Sequence, residues 1–229
     1  MKRNALQMFS LAAIGLGLMA NTTLATANSD GLKSLTAQWW QWALSIPTSQ
    51  NPLLDTTGEK CMVGQRGSTW FLAGLFNGGG PIIRNCSVPD NVSLFVPVIN
   101  SVNLNVPNIC GQGPVDISVA DLRVGAAPFI DGSINLLVEV DGKPLKHLRR
   151  VQSKVFAAAL PEDNIFDSPC ASLGVPTGIF SPAIDDGVYA HIGALKAGPH
   201  TLHIHAENPS AGFVLEVTYN LNVIGTSSK

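Results

Sequence analysis

Two short apolar runs, Trp70-Phe-Leu-Ala-Gly-Leu75 and Val92-Ser-Leu-Phe-Val-Pro-Val-Ile99, lie close together in the first half of the chain. Each run is brief, is bounded by glycine, proline or asparagine, and is rich in aromatic and β-branched residues, which is typical of strands. Cys61 and Cys86 flank the first run, so a disulfide between them would hold its ends together. This stretch predicts a β-rich fold strengthened by a cross-link.

The same pattern is clearer near the C-terminus, where three segments alternate apolar and polar residues. These segments are residues 188–195, 200–207 and 213–223. Regular alternation indicates strands with one face buried and the other in water. We therefore expect a mostly-β domain, an antiparallel and jelly-roll-like β-sandwich, with a two-layered strand core.

One amphipathic helix is predicted before the first strand. Its apolar residues recur at steps of three and four positions: Leu32, Leu35, Trp39, Trp42 and Ile46. Asp30 is placed to cap this helix and Pro47 to end it. The stripe favours docking of Trp39 and Trp42 on a sheet. Trp40 lies off the stripe and is the better candidate for an aromatic platform under a sugar ring.

A second, shorter helix is predicted inside the β-rich part. Ser118 and Asp121 form a capping-box pattern, which predicts a helix over residues 118–127. We expect this helix to end before Pro128. The segment is thus one short helix inserted into the sandwich.

The first 27 residues have the features of a signal peptide. Lys2 and Arg3 form a positive start, residues 8–20 carry no charge, and Ala25-Thr-Ala27 offers the small residues that a signal peptidase reads. We expect cleavage before Asn28 and a mature domain spanning residues 28–229. The protein is then secreted or periplasmic, with no transmembrane segment in the mature chain.

Composition narrows the class of protein. The chain has 229 residues, 45% of them hydrophobic, which is enough for the core of one domain. Only 13% of residues are charged and the formal net charge is −2. No basic stripe is present, so a nucleic-acid partner is not expected.

Four cysteines are present, at positions 61, 86, 110 and 170. An even number of cysteines in an exported protein predicts disulfides. Three pairings are possible. We expect Cys61–Cys86 and Cys110–Cys170, because the first pair flanks one strand.

The polar face of the C-terminal sheet offers the candidate binding residues. If the apolar sets face the core, the opposite face carries Tyr189, His191, His203, His205, Glu207 and Glu216. Hairpin pairing would set His191 opposite His203 or His205, and His203 opposite Glu216, because opposite side chains lie about 5 Å apart. Three histidines and one or two carboxylates would then share a patch.

Two interpretations of this patch remain open. His191, His203 and His205 form a plausible ligand set for zinc or iron, as in a cupin-like enzyme. Alternatively, the histidines simply occupy polar positions on a solvated face, and the protein needs no cofactor.

Sequence motifs for catalysis are largely missing. The chain has neither a Gly-x-Ser-x-Gly nor a His-Glu-x-x-His motif. Carboxylates at positions 162, 163, 185 and 186 stand near turn residues and could bind calcium or act as a glycosidase pair. More commonly such residues only shape turns. Binding is therefore favoured over catalysis.

A wider layout of motifs resembles a group of secreted bacterial proteins of unassigned function. It comprises Trp39-Trp-Gln-Trp42, Cys61, Gly64-Gln65, Trp70-Phe-Leu-Ala-Gly74, Cys86-Ser-Val-Pro89 and Gly198-Pro-His200. The resemblance implies one exported domain over most of the mature chain. It brings no known active site with it, so it assigns no catalytic residue.

Three hypotheses for function follow. The first is a non-catalytic module that binds a glycan or a protein ligand outside the cytoplasm. The second is a metal-dependent enzyme that uses the three histidines. The third is a structural protein associated with the cell envelope.

Overall fold

A computed structural model describes residues 21–170 and 174–225, with side chains described from Ser29. This part of the chain contains two longer helices, α1 (Asn21–Leu44) and α2 (Val119–Asp131), and ten strands. The strands are β1 (Thr69–Phe71), β2 (Gly79–Pro89), β3 (Ser93–Leu104), β4 (Ile134–Val140), β5 (Lys143–Pro144), β6 (Arg149–Gln152), β7 (Phe156–Leu160), β8 (Gly178–Ile192), β9 (Gly198–Asn208) and β10 (Phe213–Ile224).

The strands form two five-stranded sheets. Sheet A has the order β1-β3-β8-β6, with β7 also paired to β8, and sheet B has the order β2-β10-β9-β4-β5. The predicted mostly-β sandwich with an N-terminal helix and a short second helix is confirmed. Pairing is not wholly antiparallel, however, because β1 runs parallel to β3 and β2 runs parallel to β10. This mixed pairing departs from the all-antiparallel jelly-roll pattern.

The apolar faces of the two sheets meet in the central core. The predicted inward residues of β9, namely Leu202, Ile204 and Ala206, are each 0% exposed. They pack with Val96 and Ala190 of sheet A in one continuous cluster. Alternation in the C-terminal strands therefore predicted the buried face of sheet B correctly.

Sheet A is covered on its second face as well. Phe95 of β3 and Tyr189 of β8 lie in a separate cluster with the tryptophans of α1. A strand that is buried on both faces has a nearly continuous apolar sequence, and β3 is buried without interruption from Leu94 to Ile99. The expected two-layered core is thus a stack of three layers, α1, sheet A and sheet B.

Helix α1 docks through its aromatic residues, as the stripe predicted. Trp39 and Trp42 are buried, and their indole N–H groups donate to the carbonyls of Leu72 and Val63, each at 2.9 Å. Trp40 is also buried, at 4% exposure, so it offers no platform for a sugar ring. The face of the helix that packs on the sheet is therefore wider than the predicted stripe of five residues.

The ends of both helices differ from expectation. Helix α1 already includes the residues before Asp30, so Asp30 is not its cap, and it ends at Leu44, ahead of Pro47. Helix α2 is capped by Ser118 as predicted but continues through Pro128 to Asp131. A proline in the interior of a helix normally kinks or ends it. Tertiary packing of Ile130 in the central core accompanies the extra turn.

The Asp186-Gly187 pair, a combination that is typical of turns, lies instead in the middle of β8. A Cβ atom at Gly187 would stand 2.5 Å from Cβ of Asn100 and 2.8 Å from the ring of Tyr189. This glycine is therefore required by the close approach of neighbouring chain segments rather than by a turn.

Both disulfides have the predicted pairing, Cys61–Cys86 and Cys110–Cys170. The first joins the loop before β1 to β2 rather than the two ends of one strand. The second joins the connection after β3 to the connection after β7. Each such cross-link contributes about 3–4 kcal/mol in the loop-entropy description.

A buried arginine cross-links the same region. The guanidinium of Arg84 donates to the carbonyls of Asp55, Ala73 and Gly74 at 2.7, 2.6 and 3.0 Å. It also donates to the hydroxyl of Tyr219 at 2.5 Å and lies over the ring of that residue. Backbone carbonyls thus solvate a charged side chain that is only 1% exposed.

Candidate functional site

The outer face of sheet B carries a row of acidic and imidazole side chains from three strands. His203 and His205 lie two residues apart on β9, so alternation places both on the same face. Glu216 of β10 lies directly opposite His205, and Thr218 lies opposite His203. The expected pairing of His203 with Glu216 is therefore diagonal rather than direct.

Hydrogen bonds connect these side chains into one chain of contacts. Glu216 bridges the two rings, with one carboxylate oxygen 2.5 Å from Nε2 of His203 and the other 2.5 Å from Nδ1 of His205. Nδ1 of His203 lies 3.4 Å from Glu139, and Nε2 of His205 lies 2.9 Å from Glu207. We call these five residues the His–Glu row.

Charge is favoured in the middle of the His–Glu row. Burial opposes ionisation of Glu216, but hydrogen bonds from His203 and His205 outweigh it and lower the pKa of that carboxyl. Burial also opposes protonation of His205, whereas Glu207 and Glu216 together raise its pKa. The carboxylates at the two ring nitrogens of His205 favour its cationic form, because both nitrogens then act as donors.

A shallow groove lies beside the His–Glu row on the same sheet. It has a volume of about 510 Å³, and its lining combines polar side chains of β2, β9, β10 and the turn after β4 with apolar surface that includes Pro199 and Leu221. Asp141 accepts from the Thr201 backbone N–H at 2.9 Å and lies 2.7 Å from Nδ1 of His200. The amide of Asn220 donates to Asn85 at 3.0 Å across the two strands.

Electrostatics within the groove follow from the Asp141–His200 pair. The backbone N–H of Thr201, followed by the His200 ring, lowers the pKa of Asp141. Asp141 in turn raises the pKa of His200, and the Lys196 carbonyl contributes in the same direction. Both partners are therefore stabilised in their charged forms, and the groove offers paired donors and acceptors.

Two of the six predicted binding residues lie elsewhere. His191 and Tyr189 belong to β8 in sheet A, where they pair with Phe95 and Pro97. Tyr189 is only 1% exposed, whereas His191 is exposed at the end of the strand. The prediction of one shared face was wrong because β8 and β9 do not form a hairpin pair: the chain changes sheets between them.

The proposed ligand set of His191, His203 and His205 is consequently not assembled. Among the described residues, no group of three or more His, Cys, Asp or Glu side chains is arranged to hold a metal ion. All four ring nitrogens of His203 and His205 contact carboxylates within the His–Glu row. The zinc or iron hypothesis therefore loses the geometry on which it rested.

A second polar centre is buried beneath sheet A. Asp185 of β8 is 0% exposed. One oxygen of its carboxyl accepts from the Trp40 indole N–H at 2.7 Å and from the Tyr189 hydroxyl at 2.6 Å. The other oxygen has no hydrogen-bond partner among the described residues. Burial raises the pKa of Asp185 to about 8, so the side chain is neutral at pH 7.

The turn roles considered for residues 185 and 186 are wrong, because both residues lie inside β8. They point to opposite sides of the strand, as consecutive strand residues do. Asp186 accepts from the guanidinium of Arg150 at 3.1 and 2.9 Å, whereas Asp185 faces α1. A paired calcium or glycosidase site at these two positions is excluded by this divergence.

Several residues of these centres were not identified from the sequence. Glu139, Asp141 and His200 join the outer face of sheet B only through strand pairing that sequence patterns do not reveal. Asp185 carried a usable signal, since it is one of two adjacent acids before a stretch of strand-forming residues. Only the structure shows that Asp185 has a buried partner, Trp40 of α1.

Among the described residues, no helix is long and apolar enough to cross a bilayer. No protein-family model matches the chain, and comparisons with curated proteins and with solved structures likewise return no match.

Proposed function

We propose that this protein is a secreted or periplasmic binding module, without a catalytic role, that holds a glycan on the outer face of sheet B. The groove beside the His–Glu row is the observation that carries this proposal. Two disulfides support a location outside the cytoplasm, because such bonds persist in oxidising compartments. The signal peptide remains a prediction, since residues 1–20 lie outside the described part of the chain.

The groove suits a neutral ligand with many hydroxyl groups. Asn85, Asn220 and Asn222 each present a donor and an acceptor, and Thr201 adds a hydroxyl. Sugar hydroxyls also donate and accept, so such groups satisfy one another. The Asp141–His200 pair adds stronger, charge-assisted hydrogen bonds at one side.

Contacts within the groove hold its side chains before a ligand arrives. The Asn85–Asn220 bond and the two contacts of the Asp141 carboxylate limit rotation of the lining groups. Side chains that are already ordered lose less conformational entropy on binding. The position of these groups on strands rather than on loops gives the same advantage.

The His–Glu row extends the groove along the sheet. Thr201 and His203 are successive outward residues of β9, so the two features form one surface. A protein partner is less favoured here, because the groove lining contains no Phe, Trp or Tyr, the residues that enrich protein interfaces. A linear oligosaccharide could instead contact the groove and the row together.

The proposal can be tested by binding measurements with the purified protein. The probes are soluble cello-, malto- and chito-oligosaccharides and peptidoglycan fragments, measured by isothermal titration calorimetry. We expect one class of probe to bind. Asn222→Trp, which fills the groove from an exposed position, should reduce its affinity about tenfold or more, a change of about 1.4 kcal/mol.

Val124→Trp is the matched control, because Val124 is 72% exposed on α2 and lies outside the groove. This variant should bind the oligosaccharide as the unmodified protein does. Equal binding by Asn222→Trp, or no binding of any probe by the folded protein, would overturn the assignment.

A further inference from the structure

A separate cavity lies at the junction of the two hydrophobic cores. Its volume is about 400 Å³, within the range of small-molecule sites, and its lining comes from α1, α2, β3, β10 and the loop before β2. It shares no lining residue with the groove on sheet B. Any ligand here is therefore independent of the glycan proposal.

Two aromatic pairs form the apolar part of the wall. Phe129 and Phe213 meet edge to face at 5.3 Å and pack against the core between the sheets. Phe76 and Phe166 meet in the same way at 6.0 Å and pack against the core beneath α1. All four rings are only partly buried, although residues from both cores surround them.

Asn100 supplies a polar group in this wall, and a buried relay fixes its orientation. Its amide donates to the Tyr189 hydroxyl at 3.2 Å, and that hydroxyl donates to Asp185 at 2.6 Å. Asp185 also accepts from Trp40, which lines the cavity itself. Asn100 itself lines the cavity, and the bond to Tyr189 engages the N–H side of its amide, which leaves the side-chain oxygen as the acceptor for a ligand.

We propose that this cavity binds a small aromatic molecule that carries a hydroxyl group, a phenol in the simplest case. Aromatic edges and faces in the wall favour a ring over a flexible chain, because ring pairs gain energy beyond the burial of their area. The Asn100 oxygen accepts the ligand hydroxyl. An unsubstituted ring would leave that acceptor without a partner, so the site distinguishes a phenol from an unsubstituted ring.

Nuclear magnetic resonance titration of the full chain with p-cresol tests this assignment, with toluene as the ring that lacks the hydroxyl. We expect p-cresol to bind with saturable shifts at residues of the cavity. Toluene should bind about fivefold more weakly, the ratio that one hydrogen bond supports.

Two variants separate the parts of the site. Ala211→Trp introduces a large ring from an exposed position in the lining and should abolish binding of both probes. Asn100→Ala removes the acceptor and should bring the affinity for p-cresol down to that for toluene. Val124→Trp serves again as the control that retains full binding.

Thermal unfolding establishes that each variant is folded before titration. Should Asn100→Ala fail to fold, Ala211→Trp still decides whether the cavity is the site. The assignment is overturned if p-cresol does not bind at millimolar concentration, if Ala211→Trp binds it normally, or if toluene and p-cresol bind equally well.

Discussion

The buried centre of sheet A and the His–Glu row of sheet B each hold a carboxyl group, but in opposite protonation states. Asp185 has two neutral donors and no access to water, and its pKa rises to about 8. Glu216 lies between two imidazoles on a half-exposed face, and its pKa falls. Solvent access and the charge of the partner, not the residue type, determine which form is held.

The two regions should therefore respond to pH in opposite ways. Asp185 keeps its proton in the folded chain while the unfolded chain loses it above pH 3.8. Its contribution to stability consequently falls as the pH rises from 3.8 towards about 8. For Glu216 the folded pKa is lowered, so its contribution is present above pH 4.5 and is lost as the pH falls.

The largest effect is expected for Asp185→Asn. This substitution preserves the shape of the side chain, but the amide cannot ionise. Between pH 4 and 8 the free energy of unfolding of the unmodified protein should fall relative to that of the variant, by up to about 6 kcal/mol. Urea unfolding at pH 4, 6 and 8 measures this difference. Asp30→Asn, at an exposed site, should leave the profile unchanged; parallel curves for Asp185→Asn would contradict a neutral Asp185.

A smaller loss is expected for Arg84→Met on the inner face of sheet B. This variant leaves the carbonyls of Asp55 and Gly74 without their donor, at a cost of about 3 kcal/mol in total, whereas the Ala73 carbonyl keeps the bond from the Tyr219 hydroxyl. Chemical unfolding compared with Arg66→Met, an exposed site, provides the measurement. A loss similar to that of the control would show that the carbonyls find other partners.

The smallest effect is expected for Glu216→Gln in the His–Glu row. Loss of the charge should lower the pKa of His205, as followed by nuclear magnetic resonance of the imidazole protons. The stability cost should stay within about 1 kcal/mol, because the pair is partly exposed to solvent.

That cost has a defined pH window. The raised pKa of His205 stabilises the fold below pH 6.5 and the lowered pKa of Glu216 stabilises it above pH 4.5, so the effect is greatest between these values. Glu59→Gln, a substitution on an exposed loop, is the comparison. An unchanged His205 titration would mean that Glu207 alone sets its pKa.

Sheet B was predictable because its strands alternate. Leu202, Ile204 and Ala206 identify the buried face of β9, and the alternate positions identify His203 and His205. Sheet A was harder to predict, since burial on both faces removes the alternation that marks strand length and orientation. The continuous burial from Ala183 to Ala190 concealed the first part of β8 and the polar residues inside it, so that only its end, from residue 188, was predicted as a strand.

The prediction for the histidines was right for His203 and His205 but wrong for His191, and strand pairing again explains the difference. Consecutive segments with matching alternation suggest hairpin neighbours, and this is true of β9 and β10 but not of β8 and β9. A connection that crosses between sheets does not change the alternation of apolar and polar residues in the strands that it joins. His191 therefore joined the wrong set, while Glu139 joined the row from a distant strand.

Local chemistry in the sequence was sufficient for the elements that depend on neighbours: the docked helix, the alternating strands, the Ser118 cap and the set of cysteines. Only the tertiary structure decided which polar groups meet, because strand order and the third layer arise from contacts between residues far apart in the chain. The pairing of Trp40 with Asp185, separated by 145 positions, is the clearest example. A carboxyl group that looks solvent-exposed in the sequence becomes neutral there because a helix covers it.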